Sequence, residues 1–167
     1  MLSPTSYIVL GLIERAGEST PYDLKQMVAA SVGNFWSVPH SQLYAEPERL
    51  ARAGLLTERR EDGGRRRRLF SLTAQGRSEL SNWRSQPSED PLPELRDPGL
   101  LRLFFGAEPQ ALAATRLEAH RAKLRDYEEQ SAYDPGDGPR GVWLALEAGV
   151  RHEREWVRFW EELAGAG

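Results

Sequence analysis

A chain of 167 residues with no cysteine and a formal net charge of −3 has room for one well-packed domain or a small domain with a helical appendage, and it excludes disulfide frameworks and thiolate metal sites. No apolar run approaches the roughly 20 residues that cross a bilayer. The opening MLSPTSYIVL has no basic leader and no small-residue cleavage site, so a cytoplasmic protein is expected.

The charge is unevenly spread. Residues 1–86 carry twelve Lys and Arg against nine Asp and Glu, a net of +3, and residues 87–167 carry ten against sixteen, a net of −6. An acidic protein still binds DNA where its positive charge is local, because counterion release depends on the residues that meet phosphate. The local charge here is Arg65, Arg66, Arg67 and Arg68, with Arg59 and Arg60 close by.

Ser3 or Thr5 is placed to cap a first helix, with Pro4 in its first turn, ahead of the apolar run Tyr7, Ile8, Val9, Leu10, Leu12 and Ile13. Gly17 ends it. Ser19 or Thr20 caps a second helix from Pro21 to Ala30, packed through Tyr22, Leu24, Met27 and Val28, with Lys25 left for solvent or phosphate. The connector from Ser31 to Val38 carries Phe35 and Trp36, read as core wedges beneath the next helix.

The third helix is predicted from Pro39 to Ala53. Leu43 and Leu50 give it a core side, while His40 at its start and Ser41, Gln42, Tyr44 and Arg49 carry polar tips on another. Pro47 inside it costs about 3 kcal/mol unless the helix kinks, which predicts a bend there or a start later than Ser41. Gly54 falls at the C′ position. Two strand-like runs follow, Leu56 to Glu61 and Arg67 to Thr73, joined by Asp62-Gly63-Gly64, a sequence suited to a tight hairpin.

A two-faced helix followed by a basic hairpin is the outline of a winged helix-turn-helix. The major groove of B-DNA admits one helix, and a neighbouring cationic ribbon can grip phosphate or minor groove. The candidate DNA-binding residues are therefore Lys25, His40, Ser41, Gln42, Tyr44, Arg49, Arg65, Arg66, Arg67 and Arg68. The blander reading of the arginine run is a solvated hairpin tip.

Thr73 is placed to cap a helix from Ala74 to Trp83, with Leu80 and Trp83 facing the body. Residues 84–98 contain four prolines and several acids and read as a linker. The predicted organisation is 1–86 for the DNA-binding domain, 87–98 for the linker and 99–167 for a C-terminal helical domain. That last part holds a short apolar helix, Gly99 to Phe105, and two long helical patterns separated by the loop DPGDGPRG.

In the first long pattern Ala113, Leu117, His120, Leu124 and Tyr127 recur at alternating steps of four and three. In the second, Trp143, Leu146, Val150, Glu153, Val157 and Trp160 keep the same rhythm, with Trp156 and Phe159 widening the stripe. This is the seam of an antiparallel helical pair, broader on the last helix than one partner covers. A homodimer is expected through Leu117, Leu124, Trp143, Leu146, Val150, Trp156, Phe159 and Trp160. His120 on the seam has Glu153 as an intrachain partner or an interchain ion pair.

The fold class expected is mainly α with a small β-hairpin, an N-terminal winged helix-turn-helix plus a C-terminal antiparallel helical dimerisation domain. No phosphate loop, nucleophile motif or metal-ligand spacing appears, so neither an enzyme nor a cofactor nor a metal is expected. The rival class is a winged-helix protein-interaction module that does not bind DNA.

YxVLGLI in the first helix, PYDL opening the second, FWxVxHSQLY leading into the third, RLxxxGLL closing it and a wing ending in SLTxxGRxEL together resemble the PadR family of bacterial transcriptional regulators. LLRLFFG, RLxxHxxxLxxYE and the Trp-rich last helix are similar to the C-terminal domain of the branch containing the virulence activator AphA. The resemblance implies a dimeric winged-helix regulator, often a repressor, with Ser41, Gln42 and Tyr44 at the groove and the wing arginines on the DNA backbone. It also implies a small aromatic or hydrophobic effector between the domains, for which Trp83, Phe104, Phe105, Trp143 and Trp160 are candidate lining. Relatives commonly place proline directly after the tyrosine of the third helix, where this chain has Ala45 and its proline at Pro47.

Overall fold

The computed structural model describes residues 2–61, 66–87, 95–131 and 140–165. The predicted turn Asp62-Gly63-Gly64, Arg65, most of the predicted linker and most of the DPGDGPRG loop lie outside the described residues. The elements are α1 (Pro4–Ala16), α2 (Pro21–Ala29), a 3-10 turn (Val32–Asn34), α3 (His40–Arg52), β1 (Leu56–Arg60), β2 (Arg68–Leu72), α4 (Ala74–Ser85), α5 (Pro98–Phe104), α6 (Pro109–Ser131) and α7 (Arg140–Gly165). They form two compact units, Met1–Asp90 and Pro91–Gly167.

In the first unit the starts of α1, α2 and α4 are each set by a short polar side chain. Ser3 and Thr20 make capping boxes with Ser6 and Asp23, and proline occupies the first turn of both helices. The core joins Val9, Leu10 and Ile13 of α1, Leu24 and Val28 of α2, Leu43 and Leu50 of α3, Phe70 of β2 and Leu80 of α4, all buried. β1 and β2 pair antiparallel from Leu56 opposite Leu72 to Arg60 opposite Arg68. Phe70 also exchanges backbone hydrogen bonds with Ser19, N to O at 2.9 and 3.0 Å, which fastens the hairpin to the α1–α2 junction.

Helix α3 runs unbroken from His40 through Pro47, so the later start does not occur. Proline removes the N–H that would have bonded the Leu43 carbonyl. Its ring is fully buried, between the equally buried Leu43 and Leu50, and packing on both sides of the proline holds the helix together. The helix ends in a Schellman motif: Gly54, at φ 75°, donates to the Ala51 carbonyl, and Leu55 donates to Leu50. Two polar residues tie α3 to α1. The buried Ser6 hydroxyl meets Glu46 Oε1 at 2.5 Å, and Arg49 binds both, with Nη2 at 2.9 Å from Ser6 Oγ and 2.6 Å from Glu46 Oε1.

Two aromatic expectations need correction. Phe35 and Trp36 are 65% and 46% exposed and are not core wedges. The 3-10 turn closes with both of their amides on the Val32 carbonyl, turning the side chains outward, and Val38 takes the buried place. Tyr22 is exposed because Leu24 and Val28 occupy the core-facing stripe of α2. Trp83 does face the body, with one side of its ring stacked on Tyr7 at 4.5 Å between centroids and the other half exposed.

In the second unit Asp97 caps α5, accepting from the Gly99 and Leu100 amides at 2.6 and 2.9 Å, and also pairs with Arg116 of α6. The contacts Arg121 with Glu161 and Glu128 with Arg154 run in opposite chain directions, so α6 and α7 are antiparallel. His120 Nδ1 lies 2.7 Å from Glu153 Oε2 in the same chain, which decides the partner left open by the sequence. Trp156 stacks on His120 and Trp160, and Trp160 is wholly buried.

Two consequences are measurable. A Cβ on Gly76 would lie 2.2 Å from the Leu55 carbonyl oxygen, which already accepts from the Thr73 amide and hydroxyl. Gly76→Ala should therefore lower unfolding free energy by about 1–3 kcal/mol in urea titration, although alanine in a free helix stabilises by about 1 kcal/mol. The hydrogen bond from Arg49, aided by Ser6, holds the Glu46 carboxyl below its ordinary value of 4.5. That stability is present above the ordinary value and disappears as pH falls through the lowered one. Glu46→Gln should cost about 1 kcal/mol near neutrality, with the deficit shrinking below pH 4.5 in melts across the acid range.

Candidate nucleic-acid interface

With Leu43, Pro47 and Leu50 committed to the core, α3 turns His40, Ser41, Gln42, Tyr44, Ala45 and Arg49 to solvent along one continuous side. The helix is capped by the backbone of Pro39 with no side-chain cap. The side chains of His40, Ser41 and Tyr44 make no hydrogen bond with the described residues. Gln42 Oε1 accepts from the Thr5 hydroxyl at 2.9 Å, which orients the amide and leaves its NH₂ outward. Arg49 is the exception among these residues, since its fork is spent on Glu46 and Ser6.

Beside the start of α3 is a shallow cleft of about 190 Å³ lined by Lys25, Val28, Trp36, Val38, His40 and Leu43. Its floor is apolar and its rim carries the Lys25 ammonium, which forms no ion pair with the described residues. The structure thus brings Lys25 of α2 and His40 of α3 to one opening, with the outward indole of Trp36 as its wall.

The hairpin arginines differ from one another. Arg59 binds Glu18 with Nε and Nη2 at 3.1 and 2.5 Å, and Arg67 binds Glu61 at 2.9 and 3.0 Å. Arg68 binds Glu58 through Nε and Nη2, both at 2.8 Å, and reaches Glu48 of α3 with Nη1 at 3.1 Å. These hydrogen bonds hold the carboxyls of Glu18 and Glu58 below their ordinary values. Arg66 is exposed at φ 45° and pairs with none of the described residues. Reading the arginine run as one patch missed Glu18, Glu48, Glu58 and Glu61, and reading the polar side of α3 alone missed Thr5, Ser6 and Glu46. Glu46 with Arg49, three apart, and Glu48 with Arg52, four apart, were the pairings on α3 visible from spacing.

Of the residues expected at a dimer seam, Val150 and Trp160 are buried within the single chain. Leu117, Leu124, Trp143, Leu146, Trp156 and Phe159 are half-buried. Among the described residues no group of three or more His, Cys, Asp or Glu is arranged to hold a metal, and no helix is long and apolar enough to cross a membrane.

Comparison with known proteins matches both units to families. Residues 9–82 fit the transcriptional regulator PadR-like family, and residues 95–166 fit the virulence activator alpha C-terminal family. The chain is 30% identical to the negative transcriptional regulator PadR of Bacillus subtilis, over 94% of this chain and 93% of that one. The crystal structure of B. subtilis PadR in complex with operator DNA superposes with a TM-score of 0.84 at 26% identity, covering 100% of this chain and 99% of that one. The B. subtilis protein in complex with p-coumaric acid gives 0.78 at 27% identity, with 96% of each chain covered. The Vibrio cholerae virulence activator AphA gives 0.71 at 26%, covering 97% of this chain and 96% of that one. The described residues form a mainly helical chain with one antiparallel hairpin, as the winged-helix outline requires, and with these matches the chain is a member of the PadR-like family of transcriptional regulators.

Proposed function

We propose that this DNA-binding transcriptional regulator acts in the cytoplasm as a homodimeric repressor, with α3 as the recognition helix. The observation that carries the reading is the exposed side of α3, polar from His40 to Tyr44 and held rigid from behind by Leu43, Pro47 and Leu50. Ser41, Gln42 and Tyr44 are the residues for base edges. The outward NH₂ of Gln42 suits an acceptor such as purine N7. Lys25 and His40 at the cleft rim and Arg66 on the hairpin supply backbone contacts. The repressor assignment follows the negative regulator PadR, and the complex of that protein with operator DNA supports duplex DNA as the partner.

The second unit is the dimerisation element. On α5, Phe104 and Phe105 are 83% and 77% exposed beside the exposed Leu101, an apolar patch that a second chain would cover. Two recognition helices on one face of the duplex require a separation of about 34 Å, so affinity depends on how the dimer spaces them. The p-coumaric acid complex of B. subtilis PadR supports a small aromatic acid as the class of effector.

Mobility shifts with sheared genomic DNA at several salt concentrations test the reading. The slope of log affinity against log salt should be steep, and Lys25→Ala should reduce it by about one. Gln42→Ala should change which fragments a selection recovers while leaving random-sequence binding nearly intact. A uniform loss across sequences would remove Gln42 from the base-reading set. Sedimentation should give a dimer at micromolar concentration, and Phe105→Asp should shift it toward monomer.

A further inference from the structure

We propose that Arg68 is a positioning residue that fixes the hairpin to the recognition helix, and that it is not one of the phosphate contacts. The inference rests on the DNA-binding reading above and changes the role of one residue within it. Arg68 opens β2, Glu58 lies on β1 and Glu48 on α3, so a single planar cation joins the three elements whose relative tilt decides where the wing meets the duplex. Three of its five N–H donors are engaged: Nε and Nη2 take the two oxygens of Glu58, each at 2.8 Å, and Nη1 takes Glu48 Oε2 at 3.1 Å. The fork-on-fork geometry with Glu58 is directional as well as strong, because both groups are planar. Behind the guanidinium, at 5.4 Å, stands the ring of Phe70, the buried residue whose backbone is bonded to Ser19. The side chain of Arg68 is only 34% exposed.

Charge points the same way. The charge of Arg68 is matched by Glu58 and Glu48, which Arg60 and Arg52 also meet at 3.3 and 3.8 Å, so it is spent inside a closed network. A phosphate approaching Arg68 meets the two carboxylates beside it and finds only two of the five N–H donors uncommitted. Arg66 and Lys25 carry no such burden and are the cations suited to phosphate. Arg68 therefore affects sequence recognition through the angle between hairpin and helix and adds little to counterion release.

The experiment compares the full-length wild type with Arg68→Lys, Arg68→Ala, Glu48→Gln, the double variant Glu48→Gln/Arg68→Ala and Arg66→Ala. The probes are a duplex recovered by selection from a random-sequence pool and the pool itself. Arg68→Ala and Glu48→Gln should each lower the ratio of selected to random affinity by about tenfold, and the double variant should lose no more than either single one. Arg68→Lys keeps the charge and loses the fork, and it should fall with Arg68→Ala at an unchanged salt slope. Arg66→Ala should lower the slope by about one. The role is overturned if Arg68→Lys binds like wild type while Arg68→Ala flattens the slope, or if Glu48→Gln raises affinity for both duplexes. Those are the outcomes of a phosphate contact relieved of a competing carboxylate. Amide hydrogen exchange without DNA separates this from the larger reading. Arg68→Lys should speed exchange in β1 and β2, and unchanged protection there would sink the positioning role even if DNA binding holds. A wild type that retains no duplex at any salt would instead remove the DNA-binding reading.

Discussion

Everything the first unit presents to a partner depends on α3 having its back side committed to α1. Leu43, Pro47 and Leu50 are buried there, and the buried polar crossing, Ser6 with Glu46 and Arg49, is fully satisfied. A buried hydroxyl without a partner would cost on the order of 1–3 kcal/mol. Here it accepts from Arg49 and donates to Glu46, so the same groups that would have been a liability set the rotation of the helix about its axis. That rotation decides which side chains are outermost.

The end of the helix is controlled just as closely. The Leu55 carbonyl receives both the amide and the hydroxyl of Thr73, while the Thr73 oxygen caps α4 by accepting from Gly76. A single residue thus closes the hairpin, starts the next helix and lies against the turn that ends α3. The Phe70–Ser19 exchange adds a second fastening at the other edge. The hairpin is therefore no loose appendage: its base is bonded to both flanking helical junctions.

Much of this was legible beforehand. Caps at Ser3, Thr20 and Thr73, the C′ glycine at Gly54 and the core leucines of α3 follow from local chemistry, which acts over three or four residues. The outward turn of Phe35 and Trp36 was not legible, because aromatic character says how much burial a residue prefers and nothing about where a 3-10 turn will aim it. The partners of the arginine run were hidden for a related reason. Its counter-charges are Glu18 and Glu48, tens of residues away, together with Glu58 and Glu61 across the hairpin, and only the fold brings them within hydrogen-bonding distance. Pro47 was read as a defect because the local cost was visible and the packing on either side of it was not.

Pairing the hairpin arginines with carboxylates has a kinetic meaning. Seen from beyond a Debye length, about 8 Å at physiological ionic strength, such pairs look like dipoles, whose pull on a distant polyanion fades faster than that of free charges. Such pairing weakens the pull of an arbitrary stretch of polyanion relative to that of a surface of free charges. A search carried by paired charges consists of short visits, with long residence kept for places where fit at close range replaces long-range attraction.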